Sequence, residues 1–296
     1  MKELNSCTIC PHNCKINRNN GQIGRCRSGD KVKIALASVH NYEEPCISGK
    51  NGSGTIFFSN CNLSCIYCQN YDISINNNGE EISIERFSDI CLLLQEMGAE
   101  NINLVTPSHY IPLIREGLIM AKRKGLIIPI VYNTSGYDKV SSLKLLDGLV
   151  DIYLPDFKYY DKELNKYSNV NNYFEITREA LKEMYRQVGR PVIKKGIMKR
   201  GVIVRHLVLP SHIDDSKRVI KYLFDNYGNN IYLSIMNQYT PVRRCKYLEL
   251  NNRVSEEEYD EIIDYAYDLG VRKCFVQDKE SQEESFIPVF RGDSVI

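Results

Sequence analysis

Residues 61–68 read CNLSCIYC and place three cysteines, Cys61, Cys65 and Cys68, within eight residues. Three thiolates can bind three irons of a [4Fe-4S] cluster, and the fourth iron is then left without a protein ligand. An open iron can bind the amino and carboxylate groups of a methionine, which places a sulfonium next to a low-potential electron source. A zinc site normally uses four ligands in paired C-x2-4-C spacing, so this spacing favours an iron-sulfur cluster over zinc.

A short apolar run leads directly into these cysteines. Residues 54–59 are rich in β-branched and aromatic side chains and begin at a glycine, as expected for a buried strand. The cysteines therefore follow the carboxyl end of a strand. In α/β barrels this is the end at which active sites are built.

The C-x3-C-x2-C spacing, with the aromatic Tyr67 before the last cysteine, resembles the signature of the radical S-adenosylmethionine (SAM) superfamily. The resemblance implies an enzyme in which Cys61, Cys65 and Cys68 bind a [4Fe-4S] cluster, with Tyr67 beside the bound SAM. It further implies reductive cleavage of SAM to methionine and a 5′-deoxyadenosyl radical that abstracts hydrogen. A reductant such as flavodoxin or ferredoxin would supply the electron.

The rest of the chain predicts an α/β fold, because apolar strand-like runs alternate with helical periodicity and so indicate βαβ units. Besides 54–59, strands are predicted at 102–105, 127–131, 150–154, 202–209, 231–235 and 271–276. Seven strands and six crossovers are close to the partial (β/α)6 TIM-like barrel of radical SAM enzymes. We predict this barrel over residues 53–280 and a C-terminal tail over 281–296.

Two helices have clear signatures. Apolar residues recur at i, i+3 and i+4 from Ile84 to Met97, which predicts an amphipathic helix with Cys91 as a core thiol. Ser255 and Glu258 form a capping box that opens a second helix, which is expected to end just before Gly270.

A second group of cysteines, Cys7, Cys10, Cys14 and Cys26, lies near the amino terminus. Such spacing lets a small knuckle fold around a metal with almost no hydrophobic core. Four thiolates suit zinc, a single iron or a complete [4Fe-4S] cluster, and spacing does not separate these alternatives from one another or from a group of metal-free thiols. Cys46 and His12 are possible substitute ligands.

We therefore predict a cysteine-rich metal-binding segment over residues 1–52. It includes an alternating, strand-like run at 32–39. The glycine-rich segment 48–54 is the best candidate for a domain boundary, and a hinge there would make the second metal site independent of the first.

Within the superfamily the chain looks most like the pyruvate formate-lyase activating enzyme-like branch, including members with an N-terminal cysteine knuckle. After the second strand those enzymes carry Gly-Gly-Glu, which holds the SAM amino group, whereas this chain has TPSH at residues 106–109. Ser108 or a backbone carbonyl could accept from that ammonium, and His109 could titrate near neutrality. A turn-forming Pro-Ser pair that caps the next helix explains the segment equally well. After the third strand, Asn133-Thr134-Ser135-Gly136 matches the family's Asp-Thr-Asn-Gly, with an amide in place of the acid.

Asp156 and Lys158 on the fourth strand resemble the family's Asp-x-Lys. Side chains two residues apart on a strand point to the same side, so both can face the barrel mouth, although a surface ion pair would explain them as well. The resemblance implies that Asp156 binds a cation or ribose, that Lys158 meets a carboxylate, and that Arg205 on the fifth strand engages SAM. Asn237, after the sixth strand, offers an amide to adenine or to a substrate, although a polar loop explains the segment equally well.

The composition of the chain limits the classes of partner and the cellular compartment that can be expected. With 38 basic and 37 acidic residues the net charge is +1, so a nucleic-acid partner is not expected, and the basic run at 194–200 is explained as a solvated face. The amino terminus has no apolar core like a signal peptide's, and no apolar run approaches a membrane span, which predicts a cytoplasmic protein. In that compartment, 11 cysteines are explained better as ligands and buried thiols than as disulfides.

By resemblance, the hydrogen donor would be a backbone glycine of a partner enzyme, which makes the chain a glycyl-radical activase. Radical modification of another peptide, of RNA or of a small molecule uses the same scaffold. An electron carrier with two iron-sulfur clusters, or a zinc-knuckle binding module, belongs to a different class. Polar side chains at several strand ends favour an enzyme, because a carrier has no need of them.

Overall fold

The structure is a computed structural model that describes residues 1–277 and Ser294, so the predicted tail at 281–296 lies outside the described residues apart from Ser294. The strands are β1 (Val32–His40), β2 (Ser53–Phe58), β3 (Glu80–Ile82), β4 (Ile102–Val105), β5 (Ile130–Thr134), β6 (Ile152–Pro155), β7 (Val192–Lys194), β8 (Ile197–Leu207), β9 (Tyr232–Met236) and β10 (Cys274–Val276). The α-helices are α1 (Lys2–Asn5), α2 (Pro45–Ser48), α3 (Tyr71–Ser74), α4 (Ile84–Glu96), α5 (Ile111–Arg123), α6 (Val140–Leu143), α7 (Tyr173–Val188), α8 (Ile213–Tyr227) and α9 (Glu256–Leu269).

The strands form one largely parallel sheet in the order β10-β9-β8-β6-β5-β4-β2-β1-β3, and β7 pairs with β8 as a hairpin. From β2 to β10 the neighbouring strands of this order run parallel, with helices in the crossovers. All seven predicted strands are present, which confirms the partial barrel. The third predicted strand was placed too early, because it begins at Ile130 and Ile127 is 87% exposed.

Side chains of the parallel strands alternate between two apolar layers, as strand geometry requires. The outer layer packs on the helices; Tyr132 of β5 and Tyr153 of β6 belong to it. The inner layer contains Val131 and Ile152, which pack with Ile47 of α2. Helix α2 therefore fills the interior of the barrel, and both faces of the sheet are buried.

The N-terminal segment is part of the same sheet. Strand β1 confirms the run predicted at 32–39, and it pairs antiparallel with β2, where Ala37 lies opposite Ile56. The following turn is closed: the Gly52 N–H donates to the Ser48 carbonyl at 2.8 Å, and Gly52 is buried with a φ of +80° that favours glycine. Residues 48–54 therefore form an ordered turn that continues into the sheet, and both the hinge and the domain boundary at residue 52 stay predictions.

Both helix signatures are confirmed. Helix α4 begins at Ile84, and Cys91 is fully buried in the core. Helix α9 opens with both hydrogen bonds of the capping box between Ser255 and Glu258, and it ends at Gly270 in the left-handed conformation. Among the helices of residues 1–277, none combines the length and apolar content needed to span a membrane.

The contact between α4 and α5 depends on Gly117. A Cβ added there would lie 2.3 Å from Cδ1 of the fully buried Phe87. Alanine normally stabilises a helix relative to glycine by about 1 kcal/mol, but here the clash should dominate. We expect Gly117→Ala to lower the free energy of unfolding by about 1–3 kcal/mol in urea denaturation, whereas the exposed Arg123→Ala should change it by less than about 0.5 kcal/mol. A gain in stability for Gly117→Ala would contradict this packing.

Candidate active site

A cavity of about 410 Å³ lies at the carboxyl ends of the parallel strands. Its volume is within the range of small-molecule sites. Cys61, Cys65 and Cys68 share its wall with polar residues from the strand ends. Its ionisable side chains, apart from cysteine and tyrosine, are His40, Glu43, Glu44, Asp156, Lys158 and Arg205.

The cysteine-bearing loop is held in place by hydrogen bonds from several directions. The Leu63 N–H donates to Sγ of Cys61 at 3.3 Å, and the Ile66 N–H donates to the Tyr167 carbonyl at 2.9 Å. Hydroxyl groups lie against the other two thiols: Ser168 Oγ is 3.0 Å from Cys65 Sγ, and Ser74 Oγ is 3.2 Å from Cys68 Sγ. Each cysteine therefore has a polar neighbour able to donate to a thiolate.

The three thiols suit a cluster with one iron for each sulfur. Burial raises the pKa of Cys61 and raises that of Cys65 to about 11, although the charge of Lys158 opposes both shifts. Metal coordination deprotonates such thiols outright. Within residues 1–277, no three His, Cys, Asp or Glu side chains converge closely enough to hold a single metal ion. A cluster does not need that convergence, because each thiolate binds a different iron.

Asp156 and Lys158 form an ion pair with 2.5 Å between Oδ2 and Nζ, and their side chains are 25% and 12% exposed. Both line the cavity, so the alternative of a surface ion pair is wrong. Burial alone would lower the pKa of Lys158, but the neighbouring charges, Asp156 first among them, raise it well above its usual value. Lys158 is therefore charged, and its charge acts on the thiol of Cys65.

Gly136 allows the loop after β5 to lie against the end of β6. Its φ is +77°, and a Cβ there would be 2.2 Å from the carbonyl oxygen of Asp156. The predicted sequence match at residues 133–136 therefore coincides with a close backbone approach that only glycine permits. This approach brings Asn133 and Thr134 to the cavity wall beside Asp156.

Arg205 also lines the cavity, but its guanidinium is bound by two carboxylates that the sequence did not indicate. Its Nε and Nη2 each lie 2.7 Å from an oxygen of Glu44, and Nη2 also contacts Glu43. Asn103 donates to the other oxygen of Glu43 at 2.9 Å. Burial alone would raise the pKa of Glu44, but the charge of Arg205 lowers that pKa overall. Burial alone would lower the pKa of Arg205, but the two glutamates raise it overall.

Two predicted contact residues lie behind the wall of the cavity. Ser108 is 2% exposed, and its hydroxyl lies 3.1 Å from that of Thr134, which in turn donates to Asp138 at 2.6 Å. Asn237 is 4% exposed, and its neighbour Gln238 is the one that lines the cavity. Ser108 thus contacts the predicted residue Thr134 from behind, but neither Ser108 nor Asn237 lines the cavity, so their contacts with SAM stay predictions.

Thr106 lines the cavity instead of Ser108 and has a φ of +61°. A β-branched residue rarely adopts this conformation, which costs about 1–3 kcal/mol and often marks a functional site. Next to it, His109 is fully buried with Nε2 3.0 Å from the Ser59 carbonyl. Burial lowers the pKa of His109 to about 3, so the expectation that it titrates near neutrality is wrong.

Tyr67 lines the cavity as expected for a residue beside the cofactor. Its hydroxyl lies 2.5 Å from that of Tyr159, which is 2.9 Å from Oγ of Ser168. The ring of Tyr239 packs edge-on against it, with centroids 5.9 Å apart. These contacts hold the ring of Tyr67 in a fixed position in the cavity wall, beside Cys65.

The four N-terminal cysteines lie in one part of the segment, but they do not converge closely enough to hold a single metal ion in this arrangement. Burial raises the pKa of Cys10 to about 12, and the other three thiols are near enough to raise it further. The Arg25 N–H points at Sγ of Cys14 at 3.4 Å, and a Cβ on Gly24 would be 3.0 Å from that sulfur. Cys46 packs inside the barrel with Val131, away from this group, so it is not a substitute ligand.

The sequence model of the radical SAM superfamily matches residues 55–223, more than half of the 296-residue chain. The chain belongs to the radical SAM superfamily. Membership implies SAM and a [4Fe-4S] cluster as cofactors. An uncharacterised protein of Methanocaldococcus jannaschii is 30% identical over 275 residues, which cover 88% of this chain and 74% of that protein.

Solved structures support the fold alone. SuiB of Streptococcus suis bound to S-adenosylmethionine matches with a TM-score of 0.52 and 13% identity, over 75% of this chain and 49% of SuiB. SuiB bound to its precursor peptide SuiA gives the same TM-score and identity. The match thus spans about half the length of SuiB. A domain of a pyruvate-formate lyase-activating enzyme from Bacteroides vulgatus has a TM-score of 0.41, too low to support an argument about the branch.

Replacing Arg205 with methionine should leave Glu43 and Glu44 buried without a cation, which costs about 3–5 kcal/mol of unfolding free energy at pH 7. In the native protein the lowered pKa of Glu44 stabilises the fold above its unfolded pKa, and this stabilisation is lost as the pH falls through the folded value. In the variant, burial outweighs the remaining hydrogen bonds from the backbone and from Ser234 and raises that pKa, so stability is lost as the pH rises.

The difference in urea midpoint between native protein and Arg205→Met should therefore widen from pH 5 to pH 8. The exposed Arg190→Met is the matched control and should behave like native protein. A second variant, Arg205→Met with Glu44→Gln, should recover part of the loss because it removes one uncompensated charge. A midpoint difference that stays constant with pH would contradict the proposed charge state.

Proposed function

We propose that this protein is a radical SAM enzyme that holds a [4Fe-4S] cluster through Cys61, Cys65 and Cys68 and binds SAM in the adjoining cavity. The observation that carries this proposal is the shared cavity wall of the three thiols and the charged strand-end residues Asp156 and Lys158. The cluster, when bound and reduced, supplies the electron that cleaves SAM to methionine and a 5′-deoxyadenosyl radical for hydrogen abstraction.

The chain's own groups would stabilise the thiolates. The Leu63 N–H already points at Cys61, and the hydroxyls of Ser168 and Ser74 can donate to Cys65 and Cys68. Hydrogen bonds to an ionised acceptor are stronger than neutral ones, so these donors favour the deprotonated form. The Lys158 ammonium adds a positive charge beside Cys65.

Strand-end residues would bind SAM. The Asp156 carboxylate can accept from ribose hydroxyls, and the Lys158 ammonium can donate to the methionine carboxylate while it keeps its bond to Asp156. Asn133 and Thr134 present an amide and a hydroxyl on the same wall. Arg205, held by Glu43 and Glu44, would form the floor of this site and engage SAM only through donors that the glutamates leave free.

Anaerobically reconstituted protein given dithionite and SAM should release 5′-deoxyadenosine, measured by chromatography. Alanine at Cys61, Cys65 or Cys68 should abolish that release, because each variant leaves the cluster with one ligand fewer. Cys91→Ala is the matched control, since Cys91 is a core thiol of α4 and should keep the activity. Release by a variant that lacks all three loop cysteines would refute the proposal.

For the substrate, we propose the backbone glycine of a partner enzyme, which makes the protein a glycyl-radical activase of the pyruvate formate-lyase activating enzyme-like branch. The resemblance at Asn133, Thr134, Asp156 and Lys158 supports this assignment, while Thr106 to His109 departs from it. Flavodoxin or ferredoxin is the proposed reductant. A glycyl-radical doublet in the electron paramagnetic resonance (EPR) spectrum of a candidate partner would identify the protein as an activase. Radical modification of another peptide, of RNA or of a small molecule would contradict the activase assignment.

We propose a second metal site, zinc or iron-sulfur, at Cys7, Cys10, Cys14 and Cys26. The observations that support it are the electrostatic influence of the other three thiols on Cys10 and the tight fit of Gly24 against Cys14, although the four thiols would have to move closer together to hold a single zinc ion. Four protein ligands leave no vacant position, so this site would bind no SAM.

Metal analysis of fully loaded protein should then find more metal than the four irons of one cluster. Cys10→Ala combined with Cys14→Ala should remove the surplus metal, because two of the four ligands are lost. The control is Cys245→Ala, whose thiol lies near Tyr247 and far along the chain from both groups. Four irons and no zinc in fully loaded native protein would rule the second site out.

A further inference from the structure

We infer that the N-terminal knuckle, residues 7–28, clamps the loop that carries Cys61, Cys65 and Cys68. The inference rests on the proposed function, since it assigns that knuckle a role in holding the catalytic cluster. In the loop, residues 60–74, Asn60 donates to Ser28 of the knuckle at 3.3 Å, and two knuckle donors reach the loop, one near Cys61 and another near Cys68. A third reaches the chain segment that supports Cys65.

The first contact holds the peptide that follows Cys61. Nε2 of His12 lies 2.7 Å from the carbonyl oxygen of Asn62. A carbonyl oxygen only accepts, so Nε2 must carry the proton. The side chain of Asn62 is fully buried and donates to the Tyr137 carbonyl at 2.7 Å, and the Tyr137 ring lies 5.6 Å from that of His12. Asn62 is thus held by the knuckle and by the barrel.

The second contact supports Cys68. The guanidinium of Arg27 donates to the carbonyl of Ser74 at 2.5 Å, and the hydroxyl of the same serine lies 3.2 Å from Cys68 Sγ. Arg27 is half-buried and Ser74 is 8% exposed, so water competes little for this bond. A charged donor in such a place forms one of the stronger hydrogen bonds in proteins.

The third contact is weaker. Arg25 donates to the carbonyl of Asn169 at 3.1 Å, and the preceding residue, Ser168, lies 3.0 Å from Cys65 Sγ. Arg25 is exposed, so solvent competes for this bond and its loss should matter less than that of the other two. The three knuckle donors should therefore differ in how much their removal weakens the hold on the loop.

All three donors sit beside knuckle cysteines in the sequence. His12 lies between Cys10 and Cys14, and Arg25 and Arg27 flank Cys26. Closing the knuckle around a metal would therefore fix the three donors that hold the loop. Binding free energies are reciprocal, so a metal in the knuckle should tighten cluster retention, and the cluster should tighten retention of the knuckle metal.

The test uses reconstituted full-length protein and leaves every cysteine unchanged. His12→Ala combined with Arg27→Ala should speed the transfer of cluster iron to an external chelator about tenfold, the factor expected when hydrogen bonds of this kind are lost. Arg25→Ala should speed it less. Lys31→Ala, at an exposed position of the same N-terminal segment, should leave the rate unchanged.

Two further variants separate positioning from general loss of stability. Glutamine in place of alanine at position 12 (His12→Gln) should bring the rate of iron transfer most of the way back to the native value, because the glutamine amide can donate to the same carbonyl. Gly117→Ala weakens the fold elsewhere and should not speed iron loss. Unchanged iron release in the double variant, or equal acceleration in Gly117→Ala, would overturn the inference.

Hydrogen exchange of the metal-free protein distinguishes failure of this inference from failure of the proposed function. In the metal-free protein, the amides of Leu63 and Ile66 should exchange faster in the double variant than in the native sequence. This outcome does not depend on which metal the loaded protein binds. If the native protein binds no second metal but the double variant still frees the loop, the clamp stands and the second metal site fails. If exchange in the loop is unchanged, the clamp is refuted even where SAM cleavage is observed.

Discussion

The buried contact of Arg205 with Glu43 and Glu44 is the interaction on which the arrangement of this protein depends. It joins β8, in the middle of the parallel sheet, to the chain just before α2, which fills the barrel interior. Charged side chains lose their hydration when they are buried. The ion pair of Arg205 with the two glutamates therefore stabilises the fold little more than apolar side chains of the same shape would. Its effect is orientation, because any other placement of α2 would leave two carboxylates and a guanidinium without partners.

This constraint makes the N-terminal segment part of the active site. Three of the contacts between this segment and the barrel bear on the site: β1 extends the sheet beside β2, Glu43 and Glu44 line the cavity, and the knuckle contacts the cysteine loop. Strand β2 ends where that loop begins, so β1 supports it from one side and the knuckle from the other. A segment that composition alone would assign to an appended metal-binding unit is therefore integrated with the catalytic machinery that we propose.

Features with a local physical cause could be predicted from the sequence. The cysteine spacing, the apolar runs of the seven strands and the capping box of α9 are each encoded within a few neighbouring residues, and the structure contains all the strands and the cap. Features that depend on distant partners could not. Glu43 and Glu44 precede a proline and have the pattern of a surface turn, and nothing near them in the sequence indicates Arg205.

The same reason explains what the local sequence could not decide at the second strand end. The choice between Thr106 and Ser108 depends on the left-handed conformation of Thr106, which no composition rule predicts for a β-branched residue. An unperturbed histidine titrates near neutrality, but the ring of His109 is enclosed by the fold and burial holds its pKa low. In both cases tertiary packing decided an outcome for which the local sequence offered several alternatives.

The charges of the cavity agree with the proposed ligand. Three carboxylates, from Glu43, Glu44 and Asp156, face two cations, Lys158 and Arg205. Burial lowers the pKa of His40, so this residue adds no positive charge at neutral pH. The cavity is thus negative before the thiolates are counted, and SAM, with a sulfonium and an ammonium against one carboxylate, carries the opposite net charge. Because a water-poor site strengthens such attraction, the glutamates that anchor Arg205 also make the cavity favourable for a cationic cofactor.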